Sequence, residues 1–146
     1  MTADGVRIAH TPETRADAMA VREAVFVDEQ GIPPGLERDG RESESIHFVA
    51  YESGRPVGAA RLRPLDGDVG KVERVAVVPA VRGEGWGRRL MDAVESAARR
   101  RGMGRLTLHA QASVVGFYDR LGYERVGDVF AEAGIEHVEM VASLDP

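Results

Sequence analysis

Residues Val72 to Arg89, VERVAVVPAVRGEGWGRR, place an apolar strand, a proline and a glycine-rich turn directly before a helix. Four valines give the strand its β-branched character, and Pro79 lacks the amide that would continue a ladder. The glycines that follow let the backbone turn, so that successive amides converge where a helix begins at about Gly85. Unpaired amides and the helix dipole attract phosphate oxygens, and Arg82 adds a charge-assisted partner. The stretch therefore predicts an anion-binding loop between a strand and a helix.

The spacing of this loop is R-x-x-G-x-G, which differs from the two common glycine-rich nucleotide motifs. It is neither G-x-x-x-x-G-K-[ST] nor a G-x-G-x-x-G after a first strand. A different phosphate ligand is implied, although another nucleotide stays an open alternative. Taken alone, the glycines are equally consistent with a tight turn that binds nothing, because short glycine motifs often match by chance.

Length and composition limit the classes of protein to which the chain can belong. Its 146 residues suit a single domain over 1–146 with a sizeable core. The absence of cysteine excludes disulfides, a thiol nucleophile and thiolate metal sites, and the four histidines lack ligand spacing, so no metal is expected. A net charge of -5 argues against nucleic acid as the main partner. Without a visible signal peptide or membrane-spanning run, we expect a cytoplasmic protein with no membrane partner.

Hydrophobic periodicity predicts the element order β-α-β-β-β-α-β-α-β-β, an α+β mixed sheet. Thr11 and Pro12 mark the start of the first helix. A right-handed crossover after the glycine loop would bring the next strand parallel to the Val72 strand. The segment 31–45 is rich in Gly, Pro and charge, which predicts a lid, a binding loop or a solvated connector. The predicted strands are 6–10, 46–52, 56–65, the Val72 strand that ends this antiparallel meander, 106–109, 123–127 and 136–144. The predicted helices are 12–29, 85–101 and 113–121.

Two motifs together, VERVAVVPAVRGEGWGRRLM and LTLHAQASVVGFYDRLGY, resemble the GCN5-related N-acetyltransferase (GNAT) superfamily. In that family R/Q-x-x-G-x-G/A is the pyrophosphate loop for acetyl-CoA. The segments REAVFVDEQGIP, KVERVAV and HAQASVVGFYDRLGY are similar to the ElaA/YjcF-like branch. The resemblance covers most of the chain. It implies a GNAT-like, mostly antiparallel mixed sheet flanked by helices, in which a splayed strand pair forms the CoA cleft.

The same resemblance implies acetyl-CoA as the cofactor and assigns residues to it. The backbone of Val75 and Val77, with Ala76 between them, would pair with the pantetheine arm like an added strand. Ala112, Ser113 and Phe117 would line the far side of the cofactor. The amides that would hold the pyrophosphate are those of Arg82, Gly83, Gly85, Trp86, Gly87 and Arg88.

Acetyl transfer to an amine needs a neutral nucleophile, a stabilised oxyanion and a proton for the departing thiolate. Tyr118 matches the tyrosine that many family members place near the sulfur, so it is the predicted general acid; the alternative is a packing aromatic. Period-two alternation places Glu73 on the same strand face as the two pantetheine-binding valines. Its carboxylate would then deprotonate an ammonium substrate, or instead form a salt bridge to Arg61 or Arg74. A backbone amide near Val75 would hold the oxyanion.

Acidic residues on the acceptor side would attract a cationic amine. The candidates are Glu29, Gln30, Glu37, Asp39 and His47, each of which is equally consistent with a solvated surface group. His109 and Gln111 flank the end of a strand that enters the cleft. There His109 is an alternative base, although a structural role fits it better, and Gln111 would contact the acetyl group.

These residues predict an N-acetyltransferase that moves an acetyl group from acetyl-CoA directly to a primary amine of unknown identity. The acceptor would be a small molecule or a peptide, and a donor with a longer acyl chain is an open alternative. The main competing function is a non-catalytic acyl-CoA-binding or sensing module. A homodimer through the last strands is also expected.

Overall fold

The computed structural model describes residues 4–144 of the chain. Within that range the predicted order of elements is confirmed, with one additional short helix. The strands are β1 (Gly5–Ile8), β2 (Ile46–Glu52), β3 (Arg55–Pro64), β4 (Val69–Val77), β5 (Arg105–Gln111), β6 (Glu124–Glu132) and β7 (Ile135–Ser143). The α-helices are α1 (Pro12–Arg22), α2 (Pro34–Glu37), α3 (Trp86–Arg100) and α4 (Val115–Arg120).

Helix α1 begins where the capping residues predict. The hydroxyl of Thr11 accepts a hydrogen bond from the Thr14 amide at 3.1 Å, and Pro12 occupies the first turn. The helix then widens into a π-helical segment, Glu23–Glu29, so the predicted helix over 12–29 is continuous but changes its winding at Glu23.

The segment between this π-helical segment and β2 is more ordered than a solvated connector. It contains α2 and a 3₁₀ turn over Glu42–Glu44. The side chain of Glu37, at the end of α2, is only 3% exposed. The segment is therefore anchored to the body of the domain, and its residues Leu36, Glu37 and Asp39 line the main cleft.

The seven strands form one sheet in the order β1-β2-β3-β4-β5-β7-β6. All neighbouring strands are antiparallel except β4 and β5, which run parallel from the Val69–Arg105 pair to the Val72–Leu108 pair. Helix α3 makes the crossover between these two strands. The predicted α+β class, with a mixed and mostly antiparallel sheet, is confirmed.

Helices cover both faces of the middle of the sheet. Helix α3 packs on one face through the predicted apolar stripe of Leu90, Met91, Val94, Ala97 and Ala98, all buried. Helix α1 packs on the other face, over Val49, Ala59 and Ala76. Helix α1 contacts β2, β3 and β4. On the same face of the sheet, β5 and β7 lie beyond the area that α1 covers.

The last hairpin differs from its predicted limits. Strand β6 was expected to end at Gly127, a residue that ordinarily signals a turn. In the structure Gly127 has φ +77° within an irregularity of the β6–β7 register, and the strand continues to Glu132. The actual turn is Ala133-Gly134, with both residues at positive φ, as a two-residue hairpin requires.

None of the helices within residues 4–144 is both long and apolar enough to cross a membrane.

Candidate active site

Strands β4 and β5 separate at their carboxyl ends and form a cleft of about 1040 Å³. Their pairing stops at Val72–Leu108, although β4 continues to Val77 and β5 to Gln111. Residues of both strands, of the glycine loop, of α4 and of the segment after α1 line this cleft. The predicted splayed strand pair is therefore present.

The free edge of β4 presents backbone groups to the cleft. The amide of Val78 donates to the carbonyl of Val57 on β3 at 2.9 Å. Since backbone groups alternate in direction along a strand, those of Val77 and Val75 point away from β3, toward the cleft. The Val77 carbonyl accordingly accepts a hydrogen bond from Arg82 Nε at 2.8 Å. Apart from the Val77 carbonyl, which Arg82 occupies, this edge offers the backbone donors and acceptors that an extended ligand would need.

The glycine loop exposes a run of amides at the start of α3. Within residues 4–144, none of the amides from Gly83 to Arg88 donates to a protein acceptor; the next amide, Arg89, bonds to the Gly85 carbonyl at 3.1 Å. Gly83 and Gly85 have φ of +83° and +89°, which a residue with Cβ rarely adopts. The loop is thus a cradle of donors at a helix N-terminus, as the spacing predicts.

Two further loop positions are fixed by packing. A Cβ on Gly87 would lie 3.1 Å from the Phe117 ring, so glycine lets α4 approach α3 closely. The Arg89 guanidinium lies 4.2 Å from the centre of the Trp86 ring, and the Trp86 indole donates to Glu52 at 3.2 Å. Trp86, Gly87, Arg88 and Ser113 all line the cleft.

Arg82 is held by an acidic residue predicted for the acceptor. Its two terminal nitrogens donate to the carboxylate of Glu29 at 2.7 and 2.6 Å. The hydrogen bond from Arg82 lowers the pKa of Glu29. Glu29 therefore contacts Arg82, the side chain proposed to bind the pyrophosphate. A phosphate that binds Arg82 would share its guanidinium with this carboxylate.

Gln30, the next residue, bridges to the other strand of the cleft. Its amide exchanges hydrogen bonds with that of Gln111 on β5, at 2.9 and 3.4 Å. The end of the π-helical segment thus reaches one side of the cleft through Glu29 and the other through Gln30. Sequence periodicity gave no indication of this bridge, which joins residues 81 positions apart.

Tyr118 lies on α4 beneath the cleft, with 7% of its surface exposed. Its ring makes edge-to-face contacts with Phe117 and Tyr123, at centroid distances of 4.9 and 6.0 Å. Its hydroxyl has no hydrogen-bond partner in residues 4–144. Burial raises the pKa of Tyr118, so the hydroxyl stays protonated at neutral pH. The hydroxyl is therefore a protonated donor that lines the cleft.

A β-bulge in β4 alters the orientation of Glu73. Glu73 pairs with Arg61 and Ala76 pairs with Ala59, so β4 carries one residue more than β3 between these pairs. Arg74, inside the bulge, has φ +57°. Its guanidinium donates to the carbonyl of Glu37 at 3.2 and 3.1 Å, which ties the bulge to the end of α2.

This extra residue reverses the alternation of side chains. Val75 and Val77 pack toward the cluster under α3, whereas Glu73 lies on the α1 side with Arg61. The prediction that Glu73 shares a face with the two valines was therefore wrong, because period-two alternation holds only along an unbroken strand.

The carboxylate of Glu73 lies among three cations. It accepts hydrogen bonds from Arg61 at 2.8 Å and from Arg63 at 3.0 Å, and Lys71 lies 3.5 Å away. Burial alone would raise the pKa of Glu73, but the hydrogen bond from Arg63 and the charges of Arg61 and Lys71 outweigh it and hold the pKa at about 2. The alternative prediction, a salt bridge from Glu73 to Arg61, is thus confirmed. Arg63 and Lys71 are two additional partners.

We expect this low pKa to make stability depend on pH in the acid range. A carboxyl whose pKa is depressed in the folded protein stabilises it fully above the unfolded pKa, here about 4.5, and loses this contribution as pH falls toward about 2. The contribution is on the order of 3 kcal/mol. Urea unfolding of the wild type and of Glu73→Gln between about pH 7 and pH 3 measures it. An equally steep loss of stability in the variant would contradict this expectation.

A buried ion-pair network surrounds the segment that was predicted to form the acceptor side. Arg22 and Arg61 are 1% and 0% exposed, yet both carry charge. Arg22 Nε donates to Glu37 at 2.8 Å, and Arg61 donates to Asp39 at 2.9 and 2.8 Å, which lowers the pKa of Asp39. Glu42 accepts from both arginines. The acidic residues of this segment are therefore paired with arginines and do not form a free negative surface.

His47, one of the acceptor candidates, lies outside the cleft. It is buried on β2, and its Nε2 lies 2.9 Å from the carbonyl of Glu42. Burial lowers the pKa of His47, which favours its neutral form. The prediction of an acceptor contact was wrong for this residue, which supports the 3₁₀ turn before β2. The 3₁₀ turn that covers His47 begins only five residues before it, but strand alternation does not report such a turn.

Sequence reasoning also missed a pair on β5 and β6. His109 Nδ1 lies 3.0 Å from Glu132 Oε1, and both residues line the cleft. Glu132 lies beyond the predicted end of β6, so the expected limits of that strand excluded the contact. The buried arginines did leave a signal, since Arg61 interrupts the apolar run of β3.

Comparison with known proteins identifies similar sequences over nearly the whole chain. A family model described as the acetyltransferase (GNAT) domain matches residues 10–144. The uncharacterized N-acetyltransferase YjcF of Bacillus subtilis (strain 168) is 43% identical over 135 residues, which cover 92% of this chain and 96% of YjcF.

Solved structures give the same result. The crystal structure of a proposed N-acetyltransferase from Lactobacillus plantarum is 33% identical, with a TM-score of 0.91 over 98% of this chain and 99% of that one. Escherichia coli ElaA is 27% identical, with a TM-score of 0.83 over 95% and 99%. An aminoglycoside 6'-N-acetyltransferase complexed with coenzyme A shares the fold, with a TM-score of 0.79 over 97% of each chain at 16% identity.

Proposed function

Because the chain belongs to the GNAT acetyltransferase family, in the branch of ElaA and YjcF, we propose that it transfers an acetyl group from acetyl-CoA directly to a primary amine. The observation that carries this proposal is the combination of unpaired loop amides with an open β4 edge, in a cleft that also contains a tyrosine hydroxyl. The donor site and a proton donor are thus side by side.

The residues present fit an acyl-CoA donor. The amides of residues 83–88, with Arg82 beside them, are suited to a pyrophosphate, and an anion of this kind is what a helix N-terminus attracts. The free edge at Val75 and Val77 is suited to the amide groups of a pantetheine arm. Phe117 and Ser113 line the opposite side of the cleft, where they would cover the arm.

We assign the proton for the departing thiolate to Tyr118. Its hydroxyl is protonated at neutral pH, lines the cleft and has no competing partner in the described chain. The proton would pass to the sulfur as the C–S bond breaks, because a positioned side chain can donate a proton within the transition state. An unpaired β4 amide near Val75 would stabilise the oxyanion.

The role of Glu73 is better described as positioning than as proton abstraction. A carboxylate with a pKa of about 2 has little affinity for a proton at neutral pH. Its bonds to Arg61 and Arg63 fix β3 against β4 just below the bulge. We therefore infer that Glu73 maintains the opening of the cleft.

Binding of the donor is tested by calorimetry with CoA and with ATP. We expect the wild type to bind CoA in preference to ATP, and Arg82→Gln to weaken CoA binding about tenfold to a hundredfold, because a charge-assisted hydrogen bond is lost. Arg100→Gln is the matched control, since this exposed arginine at the far end of α3 bonds to Ser96 and lies outside the cleft. Tighter binding of ATP than of CoA would contradict the proposal.

Transfer itself is tested by thiol release from acetyl-CoA with spermidine, lysine, kanamycin and a peptide with a free α-amine. Release that depends on an amine supports the enzyme. Tight binding of acetyl-CoA with no release for any amine would favour the alternative function, an acyl-CoA-sensing module. Replacing acetyl-CoA with longer acyl donors in the same assay defines the depth of the pocket.

We also infer a cytoplasmic location and a homodimer. Strand β6 supports the second inference, since it is an edge strand of the sheet and its outer side is free in the chain described here. Sedimentation analysis of the purified protein distinguishes a dimer from a monomer.

A further inference from the structure

The geometry points to His109, oriented by Glu132, as the group that removes the proton from the acceptor amine. This inference rests on the proposed acetyltransferase function and adds the proton acceptor, which that function leaves unassigned. It is carried by the position of His109 at the base of the cleft, by its contact with Glu132 and by the free state of its second nitrogen.

His109 lies where the two strands separate. It directly follows Leu108, the last residue of β5 that pairs with β4. Leu106, Leu108 and Ala110 are buried in the cluster under α3, so the His109 side chain points to the opposite face of the sheet. On that face β5 lies outside the area that α1 covers, and the His109 side chain is 27% exposed.

Tyr118 approaches the cleft from the other face. It belongs to the buried cluster under α3 and lines the same cleft as His109. The two groups that exchange protons with a reacting centre thus lie on opposite sides of the separated strands. An amine that entered from the His109 side would meet a thioester whose sulfur faces Tyr118, as direct transfer requires.

The contact with Glu132 determines which nitrogen of His109 is free. An ionised carboxylate only accepts hydrogen bonds, so His109 Nδ1, 3.0 Å from Glu132 Oε1, is the protonated nitrogen. Nε2 then carries the lone pair, and it has no hydrogen-bond partner in residues 4–144. This is the arrangement in which a carboxylate fixes the tautomer of a histidine base.

Aromatic packing holds the ring in place. Phe130 contacts the His109 ring edge-to-face at 5.0 Å and stacks on His137 at 6.0 Å. His137 Nδ1 donates to the carbonyl of Ile135 at 2.8 Å, since a carbonyl only accepts. His137 is thereby committed to the hairpin, and its Nε2 lies 3.8 Å from Glu132.

The protons balance as follows. Nε2 of His109 takes one proton from R–NH₃⁺, and the neutral amine then attacks the thioester carbonyl. The C–N bond forms, the C–S bond breaks, and Tyr118 protonates the sulfur. The Tyr118 oxygen takes the second proton from the former amine nitrogen, and His109 releases its proton to solvent. The sum is an acetamide, free CoA and one proton.

The test uses the amine that the wild type acetylates fastest among spermidine, lysine, kanamycin and the α-amino peptide. We expect His109→Gln to lower kcat/KM about a hundredfold or more and to remove the acid limb of its pH profile, with CoA affinity unchanged. Other charged or titratable groups that line the cleft or pair with His109 include Lys71 and Glu73 on β4, Glu132 on β6, and His137 and Glu139 on β7. The control is His10→Gln, an exposed histidine outside the cleft.

A second measurement does not depend on turnover. In ¹⁵N spectra of the wild type, His109 should be protonated at Nδ1 and free at Nε2, and Glu132→Gln should shift it toward the other tautomer while kcat falls. Turnover and pH profile of His109→Gln within twofold of the wild type would overturn the proposal. So would a wild-type spectrum with the proton on Nε2. A wild type that acetylates no amine would instead overturn the proposed function, and with it this inference.

Discussion

Phenylalanine in place of Tyr118 is expected to lower kcat about a hundredfold or more, because a positioned general acid contributes at least that factor. The variant removes one oxygen that has no hydrogen-bond partner in residues 4–144, so the aromatic contacts with Phe117 and Tyr123 remain. The affinity for CoA should therefore stay within about threefold of the wild type. Steady-state thiol release and calorimetry measure the two quantities separately.

Tyr123→Phe is the matched control. Tyr123 is buried beside Tyr118, but its hydroxyl donates to Glu95 at 2.8 Å, away from the cleft. We expect this variant to lose about 1 kcal/mol of stability and to keep its turnover. If Tyr118→Phe kept kcat within threefold of the wild type, Tyr118 would be a packing residue and the proton would have to come from water.

Methionine in place of Arg61 is expected to destabilise the protein by about 3–5 kcal/mol, the usual cost of removing one partner of a buried ion pair. Arg61 is fully buried, and its terminal nitrogens hold Asp39, Glu42 and Glu73. Methionine fills much of the same volume, so the loss is electrostatic and not a cavity effect. Urea unfolding at neutral pH measures it.

Two comparisons make this result specific. Arg41→Met removes an arginine that is 50% exposed and bonds to Glu44 on the surface, so its effect should stay within about 0.5 kcal/mol. Adding Glu73→Gln to Arg61→Met should recover part of the loss, because it removes one of the three negative charges that Arg61 balances. A single variant within 1 kcal/mol of the wild type would contradict the role given to the network.

The network also has a cost in the native protein. Arg61 Nε is the single buried side-chain nitrogen or oxygen in residues 4–144 with no hydrogen-bond partner. Such a group typically costs about 1–3 kcal/mol. The arginine nevertheless joins β3, the bulged β4 and the segment after α2, so it positions three parts of the acceptor side at once. Methionine at position 61 would make this part of the core more apolar, but the segment after α2 would lose its ion pairs to Arg61 on β3.

The geometry of the glycine loop, to which we assign the donor, could be predicted because its determinants are local. Glycines that adopt positive φ, a proline that ends pairing and a helix start are all contained in the stretch Val72 to Arg89. The stripe on α3 follows from a 3.6-residue period in the same way. Short-range geometry of this kind is a property of the sequence itself.

The contacts of the residues proposed for the acceptor side could not be predicted, because they are long-range. Arg22 meets Glu37 across 15 positions, Arg82 meets Glu29 across 53, and Gln30 meets Gln111 across 81. An acidic residue that looks free in the sequence is therefore paired in the fold. Glu29 and Glu37 line the cleft, but neither is available as an unpaired charge for a cationic amine.

By itself, then, the sequence determined the order of elements, the phosphate cradle and the helix that carries Tyr118, since each depends on neighbouring residues. Only the tertiary structure decided which groups can act on the acceptor. One extra residue at Arg74 turned Glu73 away from the two valines, and a strand that continued past Gly127 brought Glu132 to His109. Strand alternation carries no information across a bulge, and pairing between distant strands depends on register, which only the folded sheet fixes.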